Sequence, residues 1–452
     1  MTNILFYSTN DPMRKNAGID FADALMKGLA PDKGLYLMDP AVLPHIPADA
    51  IAEFGSLPYD EIAYRVLLPF VEGRVEKSAF RAICADAYNY PVPLENYAPG
   101  HSILRLDCGP TASFKDFAAR MMGRLIRYFL AEQGREMVIL TATSGDTGGA
   151  VASAFHGLDN VKVVVLYPIA EVSARQRKQM TTLGKNVFAV GVDGKFDDCQ
   201  ALVKQAFVDP ELSYLPLSSA NSINVGRLLP QSVYYFYAVS RANRNGKPLA
   251  ICVPSGNFGN LMGGLLAKHM GLSVDKFVVA VNENDEFPIY LRTNTYTPIS
   301  PSRACLSNAM NVGHPSNLAR LVTLYGGIMD EKGNVSREPD RAKIANDLMS
   351  IEVTDAQTRD AIKQAYDDYK VVIEPHGAVG WQALNLLKTR DDYDTIMLET
   401  AHPAKFPETI IETIGVNPPL PDSMAQQADA AETSHPCNGD YADFKALLRR
   451  LV

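Results

Sequence analysis

Between residues 100 and 415 the apolar positions follow two alternating rhythms. Short β-branched runs at Met137–Ala142, Val161–Tyr167, Asn186–Val192, Leu249–Val253, Phe277–Val281 and Thr395–Leu398 predict strands. The stretches Asp146–Phe155, Ala174–Leu183, Phe196–Phe207, Val225–Ala242 and Leu261–Met270 place apolar residues at helical spacing. Wholly apolar strands separated by amphipathic helices predict parallel sheets covered on both faces. Two such series lie on either side of residue 245. They predict an α/β fold of two doubly wound parallel-sheet lobes with a cleft between them.

The flanks follow other patterns. Phe21–Leu37 reads as a short helix, a turn at Pro31 to Gly34 and a strand, and residues 59–88 have helical spacing. Pro91, Pro93 and Pro99 mark a linker. The expected division is an N-terminal α+β domain over 1–95, one lobe over 96–245, a second over 246–415, and a tail over 416–452. An Asn-, Ser-, Pro- and Thr-rich insertion at about 285–350 would sit at the cleft mouth. The tail reads as a surface strap over 417–436 and a terminal helix at 440–451.

Composition narrows the function classes. Of 452 residues 47% are hydrophobic, which excludes disorder as the dominant state. The 43 Lys and Arg against 51 Asp and Glu give a net charge of -8. Such a chain is a poor binder of nucleic acid and anionic membranes, so an anionic small substrate must be held by local cations and backbone N–H groups. The apolar runs fall far short of the ~20 residues of a membrane span. The opening MTNILFYSTNDPMRKN lacks the profile of a secretory leader. Six scattered cysteines, with no CxxC pair and no His cluster at zinc spacing, predict reduced thiols, a cytoplasmic protein and no metal.

Five segments could carry chemistry. In GPTASFKDF (109–117), Thr111 and Ser113 supply hydroxyls and Lys115 opens a helix between Phe114 and Phe117. A desolvated lysine loses basicity and becomes available for Schiff-base chemistry, whereas a lysine at a surface helix start does neither. TATSGDTGG (141–149) joins a strand to a helix. Ser144, Asp146 and Thr147 can cap that helix, and its free N–H groups can bind a carboxylate or phosphate beside Gly145. PSGNFGNLMGG (254–264) is a second Gly-rich strand-to-helix turn, and neither a Walker motif nor a GxGxxG fingerprint. It suits a single phosphate on the N–H groups of Gly256 to Asn260. SANSINVGR (219–227) sets Asn221 and Arg227 at a helix start, as caps or as ligands for an anion. In LETAHPAKFP (398–407) a strand ends at Thr400, with His402 and Lys405 in the loop beyond.

Together and in order, these segments resemble the threonine synthases, pyridoxal-phosphate enzymes of the tryptophan-synthase-β fold group. The resemblance runs from GLAPDKGLYL through GPTASFKDF, TATSGDTGG, NSIN, VPSGNFGN, LSNAM and EPHGAVG to TAHPAKF. The long N-terminal segment and the TAHPAKF ending are similar to the bacterial and fungal branch. The resemblance implies that Lys115 forms the imine with pyridoxal 5'-phosphate. It implies that Ser255, Gly256, Asn257, Phe258, Gly259 and Asn260 cradle the cofactor phosphate and that Thr400 hydrogen-bonds the pyridine nitrogen. Ser144, Gly145, Asp146 and Thr147 would bind the substrate carboxylate. The substrate phosphate would fall to some of Thr111, Ser113, Asn221, Arg227 and Lys405.

The reaction so implied turns O-phosphohomoserine and water into threonine and phosphate, by γ-elimination of phosphate and β-addition of water. Lys115 would serve several of the proton transfers. A monomer or weak homodimer is expected. A phospho-lyase or dehydratase on the same scaffold would share Lys115 and both Gly-rich loops, yet release a 2-oxo acid and ammonia. A non-catalytic metabolite-binding protein would have no use for the imine-forming amine.

Overall fold

The computed structural model describes residues 4–11, 13–242, 244–388 and 390–452. Met1 to Asn3 and Pro12, within the stretch read above for a leader, lie outside the described residues. In chain order the strands are β1 (Phe6–Ser8), β2 (Tyr36–Met38), β3 (Leu94–Ala98), β4 (His101–Arg105) and β5 (Met137–Ala142). Then come β6 (Val161–Pro168), β7 (Val187–Val192), β8 (Leu217–Ser218), β9 (Leu249–Pro254) and β10 (Lys276–Val281). The last are β11 (Ile328–Met329), β12 (Val335–Arg337), β13 (Leu348–Glu352), β14 (Asp394–Glu399) and β15 (His435–Cys437).

Two sheets dominate. A six-stranded sheet has the order β13-β10-β9-β14-β4-β3, and only β3 runs antiparallel to its neighbour. A five-stranded parallel sheet has the order β15-β7-β6-β5-β8. The strict alternation of strand side chains decides what each face meets. Leu249, Ile251 and Val253 of β9 enter the same core as Val163 and Val165 of β6. Ala250 and Cys252 turn to a second core that contains Trp381. Val138, Leu140 and Ala142 of β5 turn to a third, closed by Phe444 and Leu448 of the terminal helix. The inner faces of both sheets thus share one apolar mass, and each outer face has its own.

The sheets depart from the linear division in two places. β3 and β4 precede the first lobe's other strands in sequence, yet they belong to the six-stranded sheet, where β4 pairs with β14 and β3 with β4. His101 meets Thr395 there, with the ring Nδ1 2.8 Å from the hydroxyl. The linker expected near Pro91 to Pro99 is therefore partly β3. At the other end, the strap over 417–436 contains the helix Asp422–Ala428, and β15 completes the edge of the five-stranded sheet beside β7. The insertion is a crossover: β10 and β13 are parallel neighbours, and the chain between them makes four helical segments and the β11–β12 hairpin.

The long helix expected over Val225–Ala242 is broken. Val225–Arg227 and Leu229–Ser232 are 3₁₀ turns, and the α-helix begins at Val233. Pro230 has no N–H to give and disfavours helical geometry at the residue before it, so the apolar spacing continues while the helix does not.

The N-terminal domain packs on the helix Lys115–Gln133 through an aromatic cluster. Phe117 is fully buried, with Tyr59, Tyr88, Tyr90 and Tyr234 at centroid distances of 5.3, 6.1, 5.2 and 5.5 Å. The Tyr88 hydroxyl donates to the Phe117 carbonyl at 3.1 Å. Phe117→Ala removes the ring on which these four converge. It is expected to cost about 3–5 kcal/mol in urea denaturation of the whole chain.

Candidate active site

The lysine loop is built around one carboxylate. Asp116 accepts from the Thr111 N–H at 2.8 Å and from its hydroxyl at 2.7 Å, which folds the loop onto the first turn of the helix Lys115–Gln133. A Cβ at Gly109 would lie 2.4 Å from Asp116 Oδ2, so this turn requires glycine. The loop is held along the segment after β14. Phe114 N–H donates to the Thr400 carbonyl at 2.9 Å, and His402 N–H to the Ala112 carbonyl at 3.0 Å.

Lys115 Nζ then lies 3.4 Å from Asp146 Oδ2 and 4.6 Å from the Phe114 ring centroid. Burial lowers the basicity of this amine, and the charges of Lys405 and Arg227 act the same way against the opposing pull of Asp146. Of the two flanking phenylalanines expected to desolvate the amine, Phe114 lies against it, whereas Phe117 turns into the tyrosine cluster.

Asp146 is the electrostatic centre. Its Oδ1 lies 2.7 Å from Lys405 Nζ and accepts from Gln176 Nε2 at 3.0 Å. Burial opposes its ionisation, but Lys405 and Lys115 outweigh that and hold the carboxyl well below the usual carboxylate range. Lys405 also donates to the Thr111 carbonyl at 2.9 Å and has no exposed surface. The ammonium is therefore engaged by Asp146 and Thr111.

The residues 144–147 divide accordingly. The Asp146 side chain is a committed anion and cannot receive a substrate carboxylate. Gly145 N–H donates to the Thr143 hydroxyl at 2.9 Å, as does Gly148 N–H at 2.8 Å. Among the described residues, the N–H groups of Ser144, Asp146 and Thr147 have no partner. These remain to bind an anion at the start of the helix Asp146–Phe155.

The second Gly-rich turn is more open in its bonding. Ser255 is tied back, its N–H to Ala280 and its hydroxyl to Val253. Among the described residues, the N–H groups of Gly256, Asn257, Phe258, Gly259 and Asn260 have no partner. Phe258 takes the left-handed conformation, φ 61°, at the entry of the helix Gly259–His269. A Cβ at Gly256 would lie 3.0 Å from Met310 Cα, so the turn lies hard against the segment 309–310.

Thr400 follows β14 directly, with its hydroxyl 3.4 Å from Glu374 Oε1. Glu374 caps the helix Pro375–Leu386 and accepts from His376 Nδ1 at 2.5 Å. His376 Nε2 accepts from Ala309 N–H at 3.0 Å, so the ring proton is on Nδ1. Glu399 accepts from Glu374 N–H at 2.9 Å, and burial with the Glu374 charge beside it raises its carboxyl well above the usual range.

Of the remaining candidates, Thr111 has its hydroxyl on Asp116. Asn221 donates to the Ala142 carbonyl at 2.7 Å, beside the SGDTG loop. Arg227 is buried and donates from Nη1 to the Ala220 carbonyl at 2.6 Å, while its Nε has no partner among the described residues. Burial lowers the guanidinium to about 10. The Ser113 hydroxyl is buried and likewise without a partner among the described residues. Sequence reasoning assigned nothing to Thr143, Gln176, Glu374 or His376. Gln176 was open to detection: it and Gln179 lie three apart, hence on one face, in a helix that also carries Arg175, Arg177 and Lys178, and both are buried.

Three family models match the chain: "Threonine synthase N terminus" over 5–88, "Pyridoxal-phosphate dependent enzyme" over 93–398, and "Threonine synthase, C-terminal" over 377–448. The threonine synthase of Haemophilus influenzae is 39% identical over 433 residues, covering 95% of this chain and 96% of its own. The chain belongs to the threonine synthase family. The crystal structure of the Escherichia coli threonine synthase superposes with a TM-score of 0.88 at 38% identity, covering 98% of this chain and 99% of that one. The pyridoxal-phosphate-bound threonine synthase of Brucella melitensis gives 0.90 at 32%, covering 99% of each.

A threonine synthase uses pyridoxal 5'-phosphate, and the residues here fit it. Lys115 offers a buried amine of lowered basicity for its aldehyde, and the five unpartnered N–H groups of 256–260 offer donors for its phosphate.

The charge balance can be tested through imine formation, which requires the neutral amine. Lys405→Met leaves Asp146 to stabilise protonated Lys115, so the pH of half-maximal imine formation with pyridoxal phosphate, followed by absorbance, rises. Asp146→Asn removes the anion and lowers that pH. Shifts in the same direction would contradict the arrangement.

Proposed function

We propose that the substrate of this threonine synthase is O-phosphohomoserine and that Lys115 is its proton-transfer residue. The observation that carries the reading is the Lys115 amine, buried and weakened as a base beside Asp146. Bound pyridoxal phosphate supplies the electron sink for carbanion chemistry at the substrate. The N–H groups of 256–260 would hold the cofactor phosphate, and the Thr400 hydroxyl, beside Glu374, would hydrogen-bond its pyridine nitrogen. The substrate carboxylate takes the N–H groups of Ser144, Asp146 and Thr147. The substrate phosphate takes Arg227 and Ser113, whose buried polar atoms are otherwise unsatisfied. Thr111 and Lys405 instead hold the loop and Asp146 in place.

Lys115 accepts and returns protons at the substrate carbons from one position, because its helix is fixed by Phe117 on one side and by the 400–402 segment on the other. Net, one water is added at Cβ and one phosphate leaves Cγ. The net negative charge and the free cysteines support a cytoplasmic protein without nucleic-acid or membrane partners. The exposed large apolar side chains, from Met13 to Ile411, are scattered, which supports a monomer or weak homodimer.

Incubation with pyridoxal phosphate and O-phosphohomoserine is expected to yield threonine and one equivalent of phosphate. Phosphate with 2-oxobutanoate and ammonia would overturn the water-addition step while leaving Lys115 in its role. Lys115→Ala should lower turnover by about 10³-fold or more. Arg227→Ala should raise KM for O-phosphohomoserine about tenfold or more. An unchanged KM would remove Arg227 from the phosphate site.

A further inference from the structure

Arg320 is one of the largest fully buried side chains of the protein. It lies in the helix Leu318–Leu324, outside every motif considered above. Its Nε donates to the Tyr36 carbonyl at 3.0 Å, its Nη2 to the Ile223 carbonyl at 2.6 Å, and its Nη1 to the Ser222 carbonyl at 3.1 Å and to Asn317 Oδ1 at 2.6 Å. All four acceptors are neutral. Among the described residues no carboxylate pairs with it. A buried cation without a counter-ion is unfavourable, and burial lowers this guanidinium to about 9.

The Asn317 amide carries the contact onward. Its Nδ2 donates to the Asn257 carbonyl at 2.9 Å. That carbonyl and the Phe258 N–H belong to one peptide group, and the Phe258 N–H is among those without a partner. Hydrogen bonds in series polarise one another, so a cation on the carbonyl side strengthens the N–H on the other. Ser222 lies against the same turn: a Cβ at Gly259 would be 3.3 Å from the Ser222 Cβ.

We propose that Arg320 is a positioning residue for cofactor binding: through Asn317 and the 257–258 peptide it supplies the positive charge whose counter-ion is the cofactor phosphate. The proposal rests on the reading of residues 256–260 as the phosphate cradle. Arg320 does not touch the cofactor. It acts through the amide chain and through its field, which falls off slowly in a dry interior. It also ties β2, the Ser222–Ile223 segment and the cradle to one point, so that the N-terminal domain and the phosphate turn share a single buried cation.

The test compares two aldehydes that differ only in the phosphate. Full-length protein freed of cofactor is titrated with pyridoxal phosphate and with pyridoxal, and imine absorbance gives each affinity. Arg320→Met is expected to weaken pyridoxal phosphate about tenfold or more and pyridoxal less than about threefold. Arg320→Lys, which keeps the charge, should retain most of the preference for the phosphorylated aldehyde. Equal weakening of both aldehydes by Arg320→Met, or of neither, overturns the proposal.

If Arg320→Met does not fold, Asn317→Asp decides. It sets a carboxylate against the guanidinium and should abolish the preference, and a preserved preference overturns the proposal. The cradle is checked separately with Gly256→Val, which drives a side chain toward Met310. Loss of preference in Gly256→Val but not in the Arg320 and Asn317 variants leaves the cradle standing and removes Arg320. A wild-type protein that binds both aldehydes equally, with no competition from inorganic phosphate, removes the cradle itself.

Discussion

The ion pair between Asp146 and Lys405 governs this site. Both groups are withdrawn from water, a cost that Coulomb attraction offsets only when geometry and the remaining hydrogen bonds are right. Gln176 and the Thr111 carbonyl supply those bonds. The pair also decides what Lys115 can be. With Lys405 claiming the nearer distance to Asp146, 2.7 against 3.4 Å, the carboxylate is largely neutralised before it reaches Lys115. A lysine facing an unshared aspartate would stay protonated, and could neither form an imine nor take a proton.

That pair also sets the architecture's task. Asp146 follows β5 of one sheet and Lys405 follows β14 of the other, so the ion pair joins the two sheets at the C-terminal ends of their strands. The shared core beneath holds the sheets at a fixed separation, and the N-terminal domain closes it through Phe117 and the tyrosines around it. A polar cluster of such exact geometry needs a base this unyielding, because close-packed interiors resist small shifts.

Much of this was legible in the residues. Short apolar β-branched runs located β5, β6, β7, β9, β10 and β14, and helical spacing located the helices Asp146–Phe155, Ala174–Thr181, Phe196–Val208 and Gly259–His269, because wholly buried strands and amphipathic helices leave different signatures; β4, β13 and the helices Asp355–Tyr369 and Pro375–Leu386 were not read. The Gly-rich turns and Lys115 stood out because each joins residue types that capping alone does not need. What stayed hidden depends on distance along the chain. Nothing local in His101–Arg105 says that its partner is β14, and nothing in SGDTG says that Asp146 will meet a lysine from TAHPAKF. Local pattern misled at Pro230, where the apolar spacing ran on through a residue that the helix could not accept. Arg320 was invisible because a lone arginine between apolar residues reads as an ordinary helix-surface charge.

The pairing of β4 with β14 also fixes an order of events during synthesis. The lysine loop rests on residues 400–402, and its charge balance needs Lys405, so the seat of Lys115 is assembled from segments made almost three hundred residues apart. While the ribosome is still making the insertion, β4 has no partner at one edge and Lys115 is an ordinary solvated lysine. Long-range parallel pairing is slow and leaves strand edges exposed while it waits. The nascent chain therefore stays chemically inert and open to misassociation until residues 400–405 have been made, and only then acquires its reactive amine.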